Sequence, residues 1–137
     1  MKIETTQRRI IGRFRKISII NFHFSIKKSY LCTMKNVRIT AVRKADYKDL
    51  QARYENPIEH TCDVQEGMVW VSVGGQKPEG MCPEAWKSMR EFVEELARGG
   101  GNFFDGWMQN PHSAMISCND GFRPVSFLLE TIYNDSI

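Results

Sequence analysis

The sequence predicts an α+β fold: a two-layer sandwich, β-α-β-α-β-β in chain order, with one mostly antiparallel sheet and helices on one face. Three observations predict it. Apolar residues at steps of three and four mark a long helix between Cys82 and Gly101. Alternating or β-branched runs around it end in Gly, Pro, Asn and Asp, as strands do. Strand and helix alternate twice before two strands close the chain over a short turn, an order that suits helices layered on a sheet.

In the first strand Val37, Ile39 and Ala41 alternate with Arg38, Thr40 and Val42. A short helix follows, with Asp46 as N-cap, Tyr47, Leu50 and Tyr54 as its apolar stripe, and Asn56-Pro57 as its stop. Gly67 then leads into Met68-Val69-Trp70-Val71-Ser72-Val73, closed by Gly74-Gly75, a β-branched run that reads as a central strand.

The long helix has a stripe of Ala85, Trp86, Met89, Phe92, Val93, Leu96 and Ala97. Lys87 with Glu91, Arg90 with Glu94, and Glu94 with Arg98 are opposite charges four apart on its other face. Pro83 suits the first helical position, Glu84 the positive end of the dipole, and Gly99-Gly100-Gly101 the stop. Trp86, Met89, Phe92, Val93 and Leu96 are expected to pack on the sheet, joined by Trp70 and Phe127. A charge at Phe92 is then expected to unfold the domain, and one at Ser88 to be nearly silent. The loop 99–113 carries Phe103, Phe104 and Trp107, which are expected to line a pocket or form a contact surface. Ala114 to Cys118 is the third strand, Asn119-Asp120-Gly121 a turn, and Val125 to Tyr133 the fourth strand.

Hydrophobic residues at 42% and charged residues at 26% are ordinary for a globular domain, so charge rather than hydropathy divides the chain. Residues 1–33 carry eight Lys or Arg against Glu4 alone, +7; residues 34–137 carry eleven against fifteen acids, −4. The acidic balance of 34–137 argues against a nucleic-acid partner there. No apolar run approaches the ~20 residues that span a bilayer. The basic segment 1–33 admits three readings: an organelle-type presequence, a basic arm, or sequence upstream of a true start at Met34. The last is preferred, with 1–33 disordered and dispensable and 34–137 a single domain.

Cys82 occupies the N-cap of the long helix, where Ser, Thr, Asp or Asn is usual. Free N–H groups and the helix dipole favour a thiolate there, so Cys82 is expected to ionise most readily of the cysteines. Cys62 precedes the second strand, Cys118 ends the third, and His60 and His112 lie in loops.

The segments His60-Thr61-Cys62, Cys82-Pro83-Glu84-Ala85-Trp86 and Ser117-Cys118-Asn119-Asp120-Gly121-Phe122-Arg123-Pro124-Val125 together resemble a family of small uncharacterised prokaryotic proteins marked by three cysteines. The resemblance spans Met34 to Tyr133 and leaves out residues 1–33 and Cys32. It implies Cys62, Cys82 and Cys118 as the family's cysteines, and no activity.

Cysteines without a secretion signal point to a reducing, cytoplasmic setting rather than a disulfide framework. The first functional expectation is a zinc, iron or iron–sulfur site with Cys62, Cys82, Cys118, His60 and His112 as candidate ligands. His60-x-Cys62 is the one close pair, and no Cys-x-x-Cys knuckle is present. The second is thiol redox chemistry with Cys82 as the candidate catalytic thiolate and Cys62 or Cys118 resolving it. The third is an interaction module, a homo-oligomer included, with inert cysteines and Phe103, Phe104 and Trp107 as its surface. Asp63, Glu66, Asp105 and Arg123 read as solvated charges, Asp120 as a turn residue and His112 as a structural histidine. No phosphate-binding glycine motif occurs, since the three glycines end a helix rather than begin one.

Overall fold

A computed structural model describes residues 34–133, all within one compact unit that begins at Met34. Cys32, His23 and the segment expected to be disordered lie outside the described residues. Strand β1 runs Asn36–Lys44, helix α1 Lys48–Tyr54, β2 Val69–Ser72, α2 Pro83–Ala97, β3 Ser113–Ser117 and β4 Val125–Ile132. The strands form one sheet in the order β2-β1-β4-β3, antiparallel at every step. This is the expected α+β architecture, with the predicted element order.

The core lies between α2 and one face of the sheet. Val37, Ile39 and Ala41 of β1 are fully buried, as the alternation predicts, and Phe127 and Leu129 of β4 lie beside them. From α2 come Ala85, Trp86, Met89, Val93, Leu96 and Ala97. Phe92 differs from expectation: it is half-buried on the flank of α2, its ring edge-on to Phe103 at 5.0 Å. The helix ends in a complete Schellman motif. Gly100 N–H bonds Glu95 O at 2.9 Å and Gly99 N–H bonds Leu96 O at 3.0 Å, with Gly99 at φ 87° where a Cβ would be strained. Of the three expected charge pairs only Arg90–Glu94 forms, at 3.7 Å; Lys87 turns to Glu84 and Arg98 to Glu95, both three residues away and at 2.9 Å.

Two expectations are corrected. β2 is an edge strand, not a central one, because β1 pairs with β4 on its other side. Its register sets Trp70 opposite Ile39 and Ser72 opposite Val37, so the Trp70 and Ser72 face is the one turned to the core. Ser72 is wholly buried and donates its hydroxyl to Gln76 O at 2.6 Å. Trp70 meets Phe127 edge-on, at 6.0 Å between ring centroids. Val69, Val71 and Val73 are exposed. The run that reads as core by composition therefore faces outward.

The second correction is α1, which buries no residue at all: Tyr47, Leu50 and Tyr54, its expected apolar stripe, are all exposed. Its N-cap is Tyr47, not Asp46, with no side-chain cap bond. Polar contacts hold it instead. Arg123 reaches across from the β3–β4 connection and grips Glu55 with two bonds of 2.9 Å and Gln51 with one of 2.8 Å. Tyr47 N–H also bonds Phe122 O at 2.9 Å.

Candidate functional site

Three irregular segments meet at the N-terminal end of α2, and each brings a cysteine. Cys82 is the N-cap of α2; its carbonyl accepts the Trp86 N–H at 3.0 Å, and its side chain makes no capping bond. Cys118 stands one residue beyond β3, which ends at Ser117. Its N–H bonds Val125 O at 3.0 Å, and the Val125 N–H points back at its sulfur at 3.3 Å. The turn that follows is built by Asp120, whose Oδ1 accepts the Phe122 N–H at 2.8 Å and the Arg123 N–H at 3.2 Å. That is the turn role expected of Asp120.

Cys62 is placed by a device the sequence pattern does not announce. Ala41 pairs with Phe127 and Arg43 with Ser126, which leaves Val42 as an extra residue in β1. This bulge reverses the phase of the strand, so Lys44, opposite the buried Val125, returns to the core side. Its ammonium donates to Cys62 O at 2.7 Å and to Val64 O at 3.1 Å. Glu66 helps from the same loop, accepting the Lys44 backbone N–H at 3.0 Å. One lysine thus holds the irregular segment that carries Cys62, while Val64 is buried beneath it. Simple alternation puts Lys44 on the wrong face, and only the paired register reveals the bulge.

The result is a largely apolar cavity of about 330 Å³ bordered by all three cysteines, with Val64, Ala85, Val125 and Phe127 as further walls and Glu84, Asn119, Asp120 and Arg123 at its polar side. Each cysteine is partly buried and free. A second, more open cavity of about 530 Å³ shares Cys62 and Cys82 with the first and adds Met68, Trp70, Met81 and Pro83, but not Cys118. A third hollow, about 610 Å³, lies around Lys44, Asp46, Lys48, Gln51 and Arg123. It is the largest of the three, yet its charges are already engaged with one another: Lys48 meets Asp46 at 3.0 Å, and Arg123 is committed to Glu55. The hydrogen bond from Gln51, then Lys48, holds the Asp46 carboxyl below its ordinary range; the bond to Glu55 raises Arg123 above its own.

The other candidates lie elsewhere. His60 is exposed and borders neither cysteine-lined cavity. His112 sits at the opposite end of α2, its Nδ1 at 3.2 Å from Gly100 O, about 20 Å along the helix from Cys82. The structure therefore brings together Cys62, Cys82 and Cys118 and leaves both histidines apart. Among the described residues no group of three or more His, Cys, Asp or Glu is disposed to hold a metal ion. Asp63 borders the second cavity only, and Asp105 is exposed in the aromatic loop. In that loop Phe104 and Trp107 are exposed with rings 5.2 Å apart, and Phe103 turns inward against Phe92. Among the described residues no helix is long and apolar enough to cross a membrane.

Compared with known protein families, with curated proteins and with solved structures, the chain finds no match in any of the three.

Proposed function

We propose that this protein performs thiol–disulfide exchange from the cysteine-lined cavity, with Cys82 as the attacking sulfur. The observation that carries the reading is convergence: three cysteines far apart in sequence, on three separate connections, border one largely apolar cavity. Inert cysteines have no reason to share a wall, and a cavity gives a substrate sulfur somewhere to sit. Cys82 is the choice for attack because its sulfur is spent on no capping bond and it borders both cysteine-lined cavities.

The exchange balances without a cofactor. The Cys82 thiolate attacks one sulfur of a substrate disulfide; the new S–S bond forms as the old one breaks, and the leaving thiolate takes a proton from water. A second cysteine then loses its proton and attacks the Cys82 sulfur, forming an internal disulfide and releasing the other substrate thiol. Two electrons and two protons pass from the cysteine pair to the substrate.

Treating the reduced protein with Ellman's disulfide at neutral pH tests this. Two fast equivalents of the released thiol, one from attack by Cys82 and one from its resolution by a second cysteine, both lost in Cys82→Ser while the melting curve is kept, are the expected result. Cys62, Cys82 and Cys118 thiols that react only on denaturation would restore the inert, interaction-module reading.

A metal site is the second reading: it requires Cys62, Cys82 and Cys118 to close up, since as placed they form no group disposed to hold an ion, and the amides aimed at sulfur favour it. Val125 N–H points at Cys118 at 3.3 Å and Val64 N–H at Cys62 at 3.5 Å, contacts of the kind that support thiolate ligands. Zinc or iron at one per chain in anaerobically purified protein would put it first. Membership of the three-cysteine family, and a cytoplasmic setting in which free thiols persist, belong to the same proposal.

A further inference from the structure

We infer that Cys62 resolves the mixed disulfide on Cys82 and that Cys118 stays out of the exchange, an inference that rests on the thiol reading above. Two independent observations carry it. The first is access. Cys62 and Cys82 border both cysteine-lined cavities, whereas Cys118 borders only one. A sulfur under attack is approached from the side opposite its leaving group, so the central sulfur must be open on two sides. Cys82 borders two such spaces, and Cys62 lines both of them.

The second observation is the backbone's freedom to move. A disulfide needs Cα atoms about 4.4–6.8 Å apart with their Cβ atoms turned toward each other, so at least one partner must adjust as the bond forms. Residues 56–64 make no backbone-to-backbone hydrogen bond with any other described residue. Lys44 is their main polar hold, through the carbonyls of Cys62 and Val64, and the Val64 N–H to the Cys62 sulfur is long at 3.5 Å. Cys118 is fastened twice to Val125, through its N–H and through its sulfur. Moving Cys118 would unpick the start of β4; moving Cys62 would slide a loop past one lysine.

The step is the second half of the exchange. The Cys62 thiolate attacks the Cys82 sulfur, the Cys62–Cys82 bond forms, and the bond from Cys82 to the substrate breaks. The released substrate thiolate takes up a proton. Cys118 remains reduced as a wall of the cavity.

The test uses the full-length chain with Cys32→Ser, reduced and then exposed to oxidised glutathione, followed by peptide mapping under non-reducing conditions. A Cys62–Cys82 disulfide is expected, still formed in Cys118→Ser and replaced in Cys62→Ala by glutathione trapped on Cys82. Mapping the chain that retains all three described cysteines does not depend on either variant folding. A Cys82–Cys118 or Cys62–Cys118 bond overturns the assignment and leaves the thiol reading standing. So does glutathione trapped on Cys82 while Cys62 is still present. Absence of glutathione and of any disulfide at Cys82 overturns both.

Discussion

The two helices are held in opposite ways. α2 buries six side chains against the sheet, while α1 buries none and hangs from Arg123 by hydrogen bonds. Short isolated helices are marginal in water, so each needs tertiary support. For α2 that support is a face of apolar contacts that fail one at a time; for α1 it is a single polar residue whose loss removes most of the attachment. Arg123 also borders the cysteine cavity, so the exposed helix and the rim of the site share one fastening.

The largest expected effect comes from the buried face. Met89 is fully buried, and Met89→Ala should cost ~2–5 kcal/mol through lost burial and the cavity left behind. Chemical denaturation with coincident far-UV and tryptophan signals would measure it. A loss under about 1 kcal/mol would mean that α2 is not anchored as described.

Phe92 sharpens the comparison within α2 itself. It is a flank residue edge-on to Phe103, so Phe92→Ala should cost less than Met89→Ala, ~1–2 kcal/mol, with the change concentrated in the loop 99–113. The charge at Phe92 that the periodicity marks as unfolding can swing toward solvent, whereas Val93→Asp cannot, since Val93 is fully buried. Val93→Asp failing to fold while Phe92→Asp folds is the expected pair of results. The reverse would place Phe92 in the core.

These corrections show what was legible. Strand β1, the stripe of α2 and the closing β3–β4 pair were readable because periodicity and burial agree there. Val69, Val71 and Val73 misled because β-branching reports a pleated surface without saying which face is wet; pairing with β1 decides that. Tyr47, Leu50 and Tyr54 misled because an N-cap and two residues of a seven-residue helix fit the helical period without requiring a partner. At the site, the cysteine positions at element ends were readable and their convergence was a reasonable expectation. The histidines were not separable from them, because only the length and direction of α2 show that His112 lies at its far end. The Lys44 hold was hidden by the bulge at Val42.

Breaking the polar fastening comes next in size. Arg123→Met should leave the core melt nearly intact while amide protection falls across residues 46–55, the segment joined to Glu55 and Gln51 by that side chain. Hydrogen exchange read by mass spectrometry would resolve the two regions. Equal loss of protection in α2 would show that the helices are not independently held.

The smallest expected effect is a pH dependence of the same fastening. Gln51 and then Lys48 stabilise the ionised Asp46, with Arg123 Nε more distant at 3.9 Å, and its folded-state value lies below the ordinary 3.8. A carboxyl depressed on folding contributes stability that is complete above its unfolded value and is lost as pH falls through the folded one. The attachment of α1 should therefore be constant from neutral pH down to about 4 and weaken only below that. Because Asp46 is half exposed and its partners are surface groups, the change should be small and confined to α1. Amide shifts of Gln51 and Lys48 followed from pH 6 to pH 2.5 would report it, with Asp46→Asn as the flat reference. A transition in wild type that persists unchanged in Asp46→Asn would remove Asp46 from the fastening, and the account of α1 would then rest on the Arg123–Glu55 pair alone.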